Sequence, residues 1–234
     1  MSKKKIVSLS LILIMIAILS FGTLAWFNDS DSVTNEFYVA TSDDPSDPDD
    51  IFSVDIWENV DTDGDGVAEK VGVGDGEGAE FKNILPGSKL VKEPIVENTG
   101  AYDQYVRVVV TLHNANAWVD ILGYRYDLGS IFEGHDEDLW TRSVGTHDSA
   151  NDKLVYVYYL NKKLAPTETA TLFTHVKIPT FLTQEHMAKL DGGFELDIRA
   201  DAIQTENLGD GVTTAKQAFA VANWGDYVNT KPQP

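Results

Sequence analysis

The 234-residue chain contains no cysteine, which excludes disulfide staples, thiolate nucleophiles and cysteine-bound metal. An ordinary apolar core must hold the fold. Positive charge is scarce: 18 Lys and Arg stand against 37 Asp and Glu, for a formal net charge of −19. A surface of that sign repels nucleic acid and anionic lipid headgroups, favours solubility and draws divalent cations. The five histidines, His113, His135, His147, His175 and His186, do not form His-Glu-x-x-His, and Glu185-His186 has no second histidine four residues away. No zinc pair on one helical face can therefore be read. The glycine-rich run from Gly72 to Gly78 carries acids and leads into no helix, so it is a flexible turn rather than a phosphate cradle. No Ser, Cys or Lys stands in a recognisable nucleophile context, and acyl transfer has no support.

Long apolar runs are nearly absent as well. One mostly apolar run, Ile6 to Phe21, follows Lys3, Lys4 and Lys5, and Thr23-Leu24-Ala25 then offers small residues at the minus-three and minus-one positions of a cut. This is the layout of a secretory signal, residues 1–25, cleaved between Ala25 and Trp26. The alternative is an uncleaved anchor, because Ile6 to Phe27 approaches the roughly 20 residues that cross a bilayer. Polar, acidic sequence resumes directly after the small-residue site, which favours cleavage and export. Loss of the leader and its three lysines takes the length from 234 to 209 and the charge from −19 to −22. With 43% hydrophobic residues, a chain of this length can bury one sizeable core.

What is present is strand signal. Val106, Val108, Val110 and Leu112 alternate with Arg107, Thr111 and His113; Phe194, Leu196, Ile198, Ala200 and Ala202 alternate with Glu195, Asp197, Arg199 and Asp201. Both segments read as half-buried strands. Residues 154–160, LVYVYYL, are apolar on both faces, and with ATLFTHVKIP after the turn NKKLAP they read as a hairpin. IFSVDIW (51–57), EFKNIL (80–85) and KLVKEPIV (89–96) add further strands, with Pro94 marking an edge or a bulge. Helical signal is limited to Leu182–Leu190 and to Thr214–Trp224, the latter capped by Thr213 or Thr214 and stopped by Gly225. The expectation from the pattern is an all-β fold over residues 51–234, a sandwich or a jelly roll, with one or two short helices. TSDDPSDPDD (41–50) is an acidic, solvated linker that sets residues 26–40 apart as an N-terminal arm.

Four stretches carry a family resemblance: GTLAWFND, FKNILPGSKLVKEPIVENTGAYDQYVRVVV, ATLFTHVKIP and ELDIRADAIQTENLGD. In that order they resemble the TasA/camelysin family of secreted biofilm matrix proteins, whose signal peptides are handled by a SipW-type signal peptidase. The resemblance implies a jelly-roll sandwich, secretion to the extracellular matrix or cell surface, and fibres in which the N-terminal strand of one subunit completes a neighbour's sheet. An accessory matrix protein is a further candidate partner, one that the sequence itself does not specify. Membrane contact is expected only through an uncleaved signal peptide. A camelysin-type secreted metallopeptidase is one alternative, and a calcium-dependent cell-surface binding module is another. The Asp/Pro linker and the stretch from Asp61 to Gly78 are insertions the family pattern does not require.

In the arm, Val33, Asn35, Phe37 and Val39 alternate with Thr34, Glu36, Tyr38 and Ala40, the pattern of a detachable donor strand. Such a strand can pair with its own sheet or add to the sheet of another copy, and head-to-tail addition generates an open homopolymer. Asp61-Thr62-Asp63-Gly64-Asp65-Gly66-Val67 resembles the first half of a calcium loop, with carboxylates at alternate positions and a backbone carbonyl at Val67. Position twelve is Gly72, which excludes an EF-hand and leaves Glu69 or a distant acid to complete a weaker site. An acidic Asp-Gly turn explains the same residues. Beyond calcium in that loop, no cofactor is implied, and the chain is not expected to be an enzyme.

Overall fold

Twelve strands form among residues 28–32, 52–72, 78–82, 84–123, 127–190, 193–206 and 208–223, the parts described by the computed structural model. They are β1 (Asn28–Ser32), β2 (Val54–Asp61), β3 (Glu69–Val71), β4 (Lys89–Asn98), β5 (Gln104–His113), β6 (Phe132–Glu133), β7 (Trp140–Arg142), β8 (Thr146–Asp148), β9 (Lys153–Leu160), β10 (Thr169–Thr171), β11 (His175–Lys177) and β12 (Leu196–Gln204). Helices α1 (Ala115–Leu122), α2 (Gln184–Lys189) and α3 (Ala215–Val221) and a 3-10 turn at Leu128–Ile131 complete the elements. Among the described residues no helix is long and apolar enough to cross a membrane.

The strands form two antiparallel sheets. In the first the order is β1-β12-β5-β9-β7, with β8 also on β9; in the second it is β3-β2-β4-β11-β6, with β10 also on β4. The fold is therefore the expected all-β sandwich. The chain crosses between sheets from β1 to β2, from β4 to β5, from β5 to β6 and back to β7, from β9 to β10 and from β11 to β12, which winds it around the core in the manner of a jelly roll. Val106, Val108 and Val110 of β5 and Ile198 of β12 meet Val54 and Ile56 of β2 between the sheets. Trp118, Trp140 and Phe173 fill out this core at no more than 1% exposure. Each large apolar side chain so buried contributes about 1.5–3 kcal/mol, and without disulfides this is what holds the sandwich.

A second apolar cluster lies on the outer side of the first sheet. Tyr105 and Val109 of β5, Val157 and Tyr159 of β9 and Ile203 of β12 pack under Phe219 of α3. The helix starts where a threonine cap was expected: Thr214 Oγ1 accepts from Gln217 N at 3.3 Å, and Gln217 Oε1 accepts from Thr214 N at 3.2 Å, a reciprocal capping box. This cover corrects the expectation that β5 is half-buried, and with it the part of β12 around Asp201. Nine of the ten β5 residues are buried, and Arg107 and Asp201, expected on a solvent face, are enclosed.

Further expectations change. β9 and the segment after it do not form a hairpin: β9 lies between β5 and β7 in one sheet, whereas β10 and β11 pair with β4 in the other. A strand apolar on both faces belongs inside a covered sheet, and the NKKLAP turn carries the chain across the sandwich. Residues 80–85 form no strand in their described part. Helix α1 was not anticipated; its Trp118 is fully buried and meets the Phe194 ring edge-on at 5.4 Å. Pro94 lies inside β4, opposite the interruption between β10 and β11, where Leu172 N donates to Pro94 O at 2.9 Å. The break on the partner strand spares the ladder a donor that proline cannot supply.

Candidate functional site

Strand β1 occupies one edge of the first sheet, antiparallel to β12, from Asn28 opposite Ile203 to Ser32 opposite Arg199. Its sequence, NDSDS, has no apolar residue, so the backbone ladder accounts for its position better than core burial does. The next strand, β2, begins at Val54, and residues 33–53 connect the two. Opposite, β2 packs across from both β12 and β1. The expected donor residues Val33, Asn35, Phe37 and Val39 and the expected cleavage residues Ala25 and Trp26 lie outside the described residues.

The acidic loop joins β2 to β3 and folds on its own carboxylates. Asp61 Oδ1 accepts from Gly64 N at 2.7 Å and Oδ2 from Gly66 N at 2.9 Å; Asp63 accepts from Asp65 N at 3.1 Å, and Asp65 from Val67 N at 2.7 Å. Gly64 and Gly66 sit at φ +77° and +84°, the left-handed region that glycine enters without strain. Desolvation works to raise the Asp61 carboxyl, but the N–H groups of Gly64, Gly66 and Asp65 and the hydrogen bond with Asp63 outweigh it and hold the acid below the usual range. One oxygen each of Asp61, Asp63 and Asp65 lies within 4.8 Å of the others. This is a hard-oxygen set of the kind calcium takes. Glu69, exposed at the start of β3, is outside that group, and Val67 is 64% exposed.

Polar residues that local sequence does not reveal are brought together by strand register. Across β5 and β12, Arg107 Nε donates to Asp201 Oδ2 at 2.8 Å, and Arg199 Nη2 donates to the same oxygen at 2.9 Å. The Arg107 guanidinium lies 4.5 Å from the centre of the Phe219 ring, so α3 and the buried acid fix it from two sides. Farther along the same face, His113 Nε2 lies 2.6 Å from Asp197 Oδ2. In the second sheet Lys92 pairs with Glu58, both buried.

The ENTGAYDQ turn between β4 and β5 is tied by Asn98 and Gln104, each at 0% exposure. Asn98 Nδ2 donates to Tyr102 O and Leu164 O, both at 2.8 Å, while its Oδ1 accepts from Gly100 N at 2.9 Å and Gln104 Nε2 at 2.7 Å. The amide thus joins its own turn to the crossover after β9.

A cavity of about 560 Å³ opens beside β7, lined by Ser130, His135, Glu137, Trp140, Arg142 and Tyr158 among others. Asp127 binds the Arg142 guanidinium, which lies across Gly129 so closely that a side chain there would collide with it. Burial and then the Arg142 charge push the His135 imidazole below its usual range; burial also raises Tyr158. The other histidines have local partners: His147 meets Asn116 at 2.9 Å, His175 meets Thr174 at 2.8 Å, and His186 caps α2 with Thr183.

The class defined by these features is an all-β sandwich with an added edge strand and an acidic loop. Comparison with protein-family models, with curated proteins and with solved structures finds no match to this chain.

Proposed function

We propose that this chain is a secreted structural subunit of extracellular matrix fibres, a member of the TasA/camelysin group that assembles by strand exchange and is not an enzyme. The observation that carries the reading is the pairing of β1, a strand that the chain separates from β2 by residues 33–53, with the edge of β12. Fully extended, 21 residues reach roughly 70 Å. The same β1 can therefore lie on its own sheet or on that of a second copy with an identical ladder. Cleavage after Ala25 by a signal peptidase frees the arm, and each subunit then donates in one direction and accepts in the other. The contact does not close, and a filament results.

A cell-surface binding module is kept as a second reading because Asp61, Asp63 and Asp65 gather three carboxylates; it predicts a calcium-dependent rise in melting temperature that Asp63→Ala removes. The strand-exchange reading is tested by deleting residues 26–40 from the mature protein. Filaments seen by electron microscopy should vanish while the β circular-dichroism spectrum persists. Undiminished filaments from the truncated chain would overturn it.

A further inference from the structure

We propose that His113, Glu195 and Asp197 form a binding site for a divalent transition-metal ion of the zinc class, at the end of the β5–β12 ladder. His113 is the last residue of β5, and its N–H donates to Glu195 O at 3.0 Å, just before β12 begins. Register then sets Asp197 opposite Thr111. His113 and Asp197 share the outward face with Val109 and Ile203, while the intervening Leu112 and Ile198 point into the sandwich. One ligand atom from each of His113, Glu195 and Asp197 lies within 4.8 Å of the other two.

A second observation concerns Asp197. Its Oδ2 contacts His113 Nε2 at 2.6 Å, whereas its Oδ1 is shielded from solvent and has no hydrogen-bond partner among the described residues. A shielded carboxylate oxygen left unpaired is unfavourable, and a bound ion is one of the few things that satisfies it. The acidic loop differs on this point, because Asp61, Asp63 and Asp65 already accept backbone N–H groups.

Donor chemistry selects the ion. One imidazole nitrogen and two carboxylates suit zinc and its first-row neighbours, whereas calcium and magnesium prefer oxygen alone. Two negative charges and a neutral imidazole balance a dication, and the net charge of −19 raises its local concentration. Ligands at about 2.0–2.1 Å from a tetrahedral ion stand roughly 3.3 Å apart, so His113 Nε2 and Asp197 Oδ2, 2.6 Å apart, need to separate by about 0.7 Å and Glu195, within 4.8 Å of both residues' ligand atoms, to close in. With side chains 26% and 28% exposed, both can rotate to do so. Three protein ligands leave the fourth position to water.

The test is titration of the mature protein with Co²⁺, read by its visible d–d absorption, followed by displacement with Zn²⁺. Saturable one-to-one binding is expected, weakened at least tenfold by His113→Gln and by Asp197→Asn and unchanged by Asp63→Asn, with circular dichroism confirming the fold of each. Absence of saturable binding overturns the site, as does binding that survives both substitutions or is lost with Asp63→Asn. A measurement free of variants runs beside it: zinc should protect His113 from diethyl pyrocarbonate, located by peptide mass spectrometry. Equal modification of His113 with and without zinc overturns the proposal even if a variant fails to fold.

Discussion

Arg107 and Asp201 stand directly opposite each other on β5 and β12, joined at 2.8 Å with side chains 1% and 0% exposed. Their contributions are unequal, because Asp201 also holds Arg199 at 2.8 Å. Removing the acid takes the carboxylate from two guanidiniums, whereas removing Arg107 leaves the acid one partner. Asp201→Leu should cost about 3–5 kcal/mol and Arg107→Met less, with the double variant recovering part of the loss. Urea denaturation of the three proteins checks the order. An Arg107→Met loss equal to or larger than that of Asp201→Leu would show that Arg199 does not share the acid.

Phe219 links the Arg107 guanidinium to the outer cluster beneath α3, where its ring also lies 6.4 Å from that of Tyr159. Phe219→Ala should cost about 3–5 kcal/mol. It should also raise dye binding by the native protein, because the cover over β5 and β9 loosens. A loss below 1 kcal/mol with no added dye binding would mean that the helix contributes little to the first sheet.

The alternation in β5 and β12 was legible, as was the Thr214 cap of α3, because both are local patterns. That the helix lies on the polar-looking face of those strands is a tertiary fact, and alternation alone points Arg107 and Asp201 to solvent. Both-face apolarity marked β9 as a strand, but it does not encode a partner; chain proximity suggested a hairpin where the turn in fact crosses the sandwich. Asp61, Asp63 and Asp65 were legible as a cluster within one short loop. His113 and Asp197 are 84 residues apart, and only strand register joins them. Helix α1 follows β5 after one residue, Asn114, in a left-handed conformation at φ 57°; Asn is among the few residues that tolerate this, and it was the available signal for the end of the strand.

Asn98 satisfies four groups at once, so its removal should be felt beyond its size. Asn98→Ala leaves Gly100 N, Tyr102 O, Leu164 O and Gln104 Nε2 without their present partner. The expected cost is on the order of 3 kcal/mol, measured by denaturant unfolding. Asn98→Asp keeps the accepting oxygen but loses both donated bonds, and it should not restore stability. Full stability in Asn98→Asp would place the importance of the residue in its oxygen alone.

Burial raises Tyr156 to about 12, and the Asp127 charge acts in the same direction. Tyrosine in the unfolded chain ionises near about 10. The folded state therefore favours the neutral phenol, and its contribution is intact below about pH 10 and lost as pH rises through about 12. Melting temperature should fall across that window and fall less steeply in Tyr156→Phe, which also loses the bond from Gly129 N at 2.8 Å. Identical alkaline slopes in the two proteins would remove Tyr156 as the cause.

The edge pairing of β1 can be tested without removing the arm. Ser30 and Asp31 stand opposite Asp201 and Ala200, and adjacent strand residues direct their N–H groups to opposite sides. Ser30→Pro with Asp31→Pro therefore removes the donor facing β12, whichever residue supplies it. The amides of β12 that face β1 should exchange with solvent faster, while those facing β5 remain protected, because the β5–β12 ladder is untouched. Filaments should be lost together with that protection if the same ladder is used between subunits. Unchanged exchange along both sides of β12 would mean that β1 does not hold this edge in solution, and filaments persisting beside altered exchange would separate the edge strand from assembly.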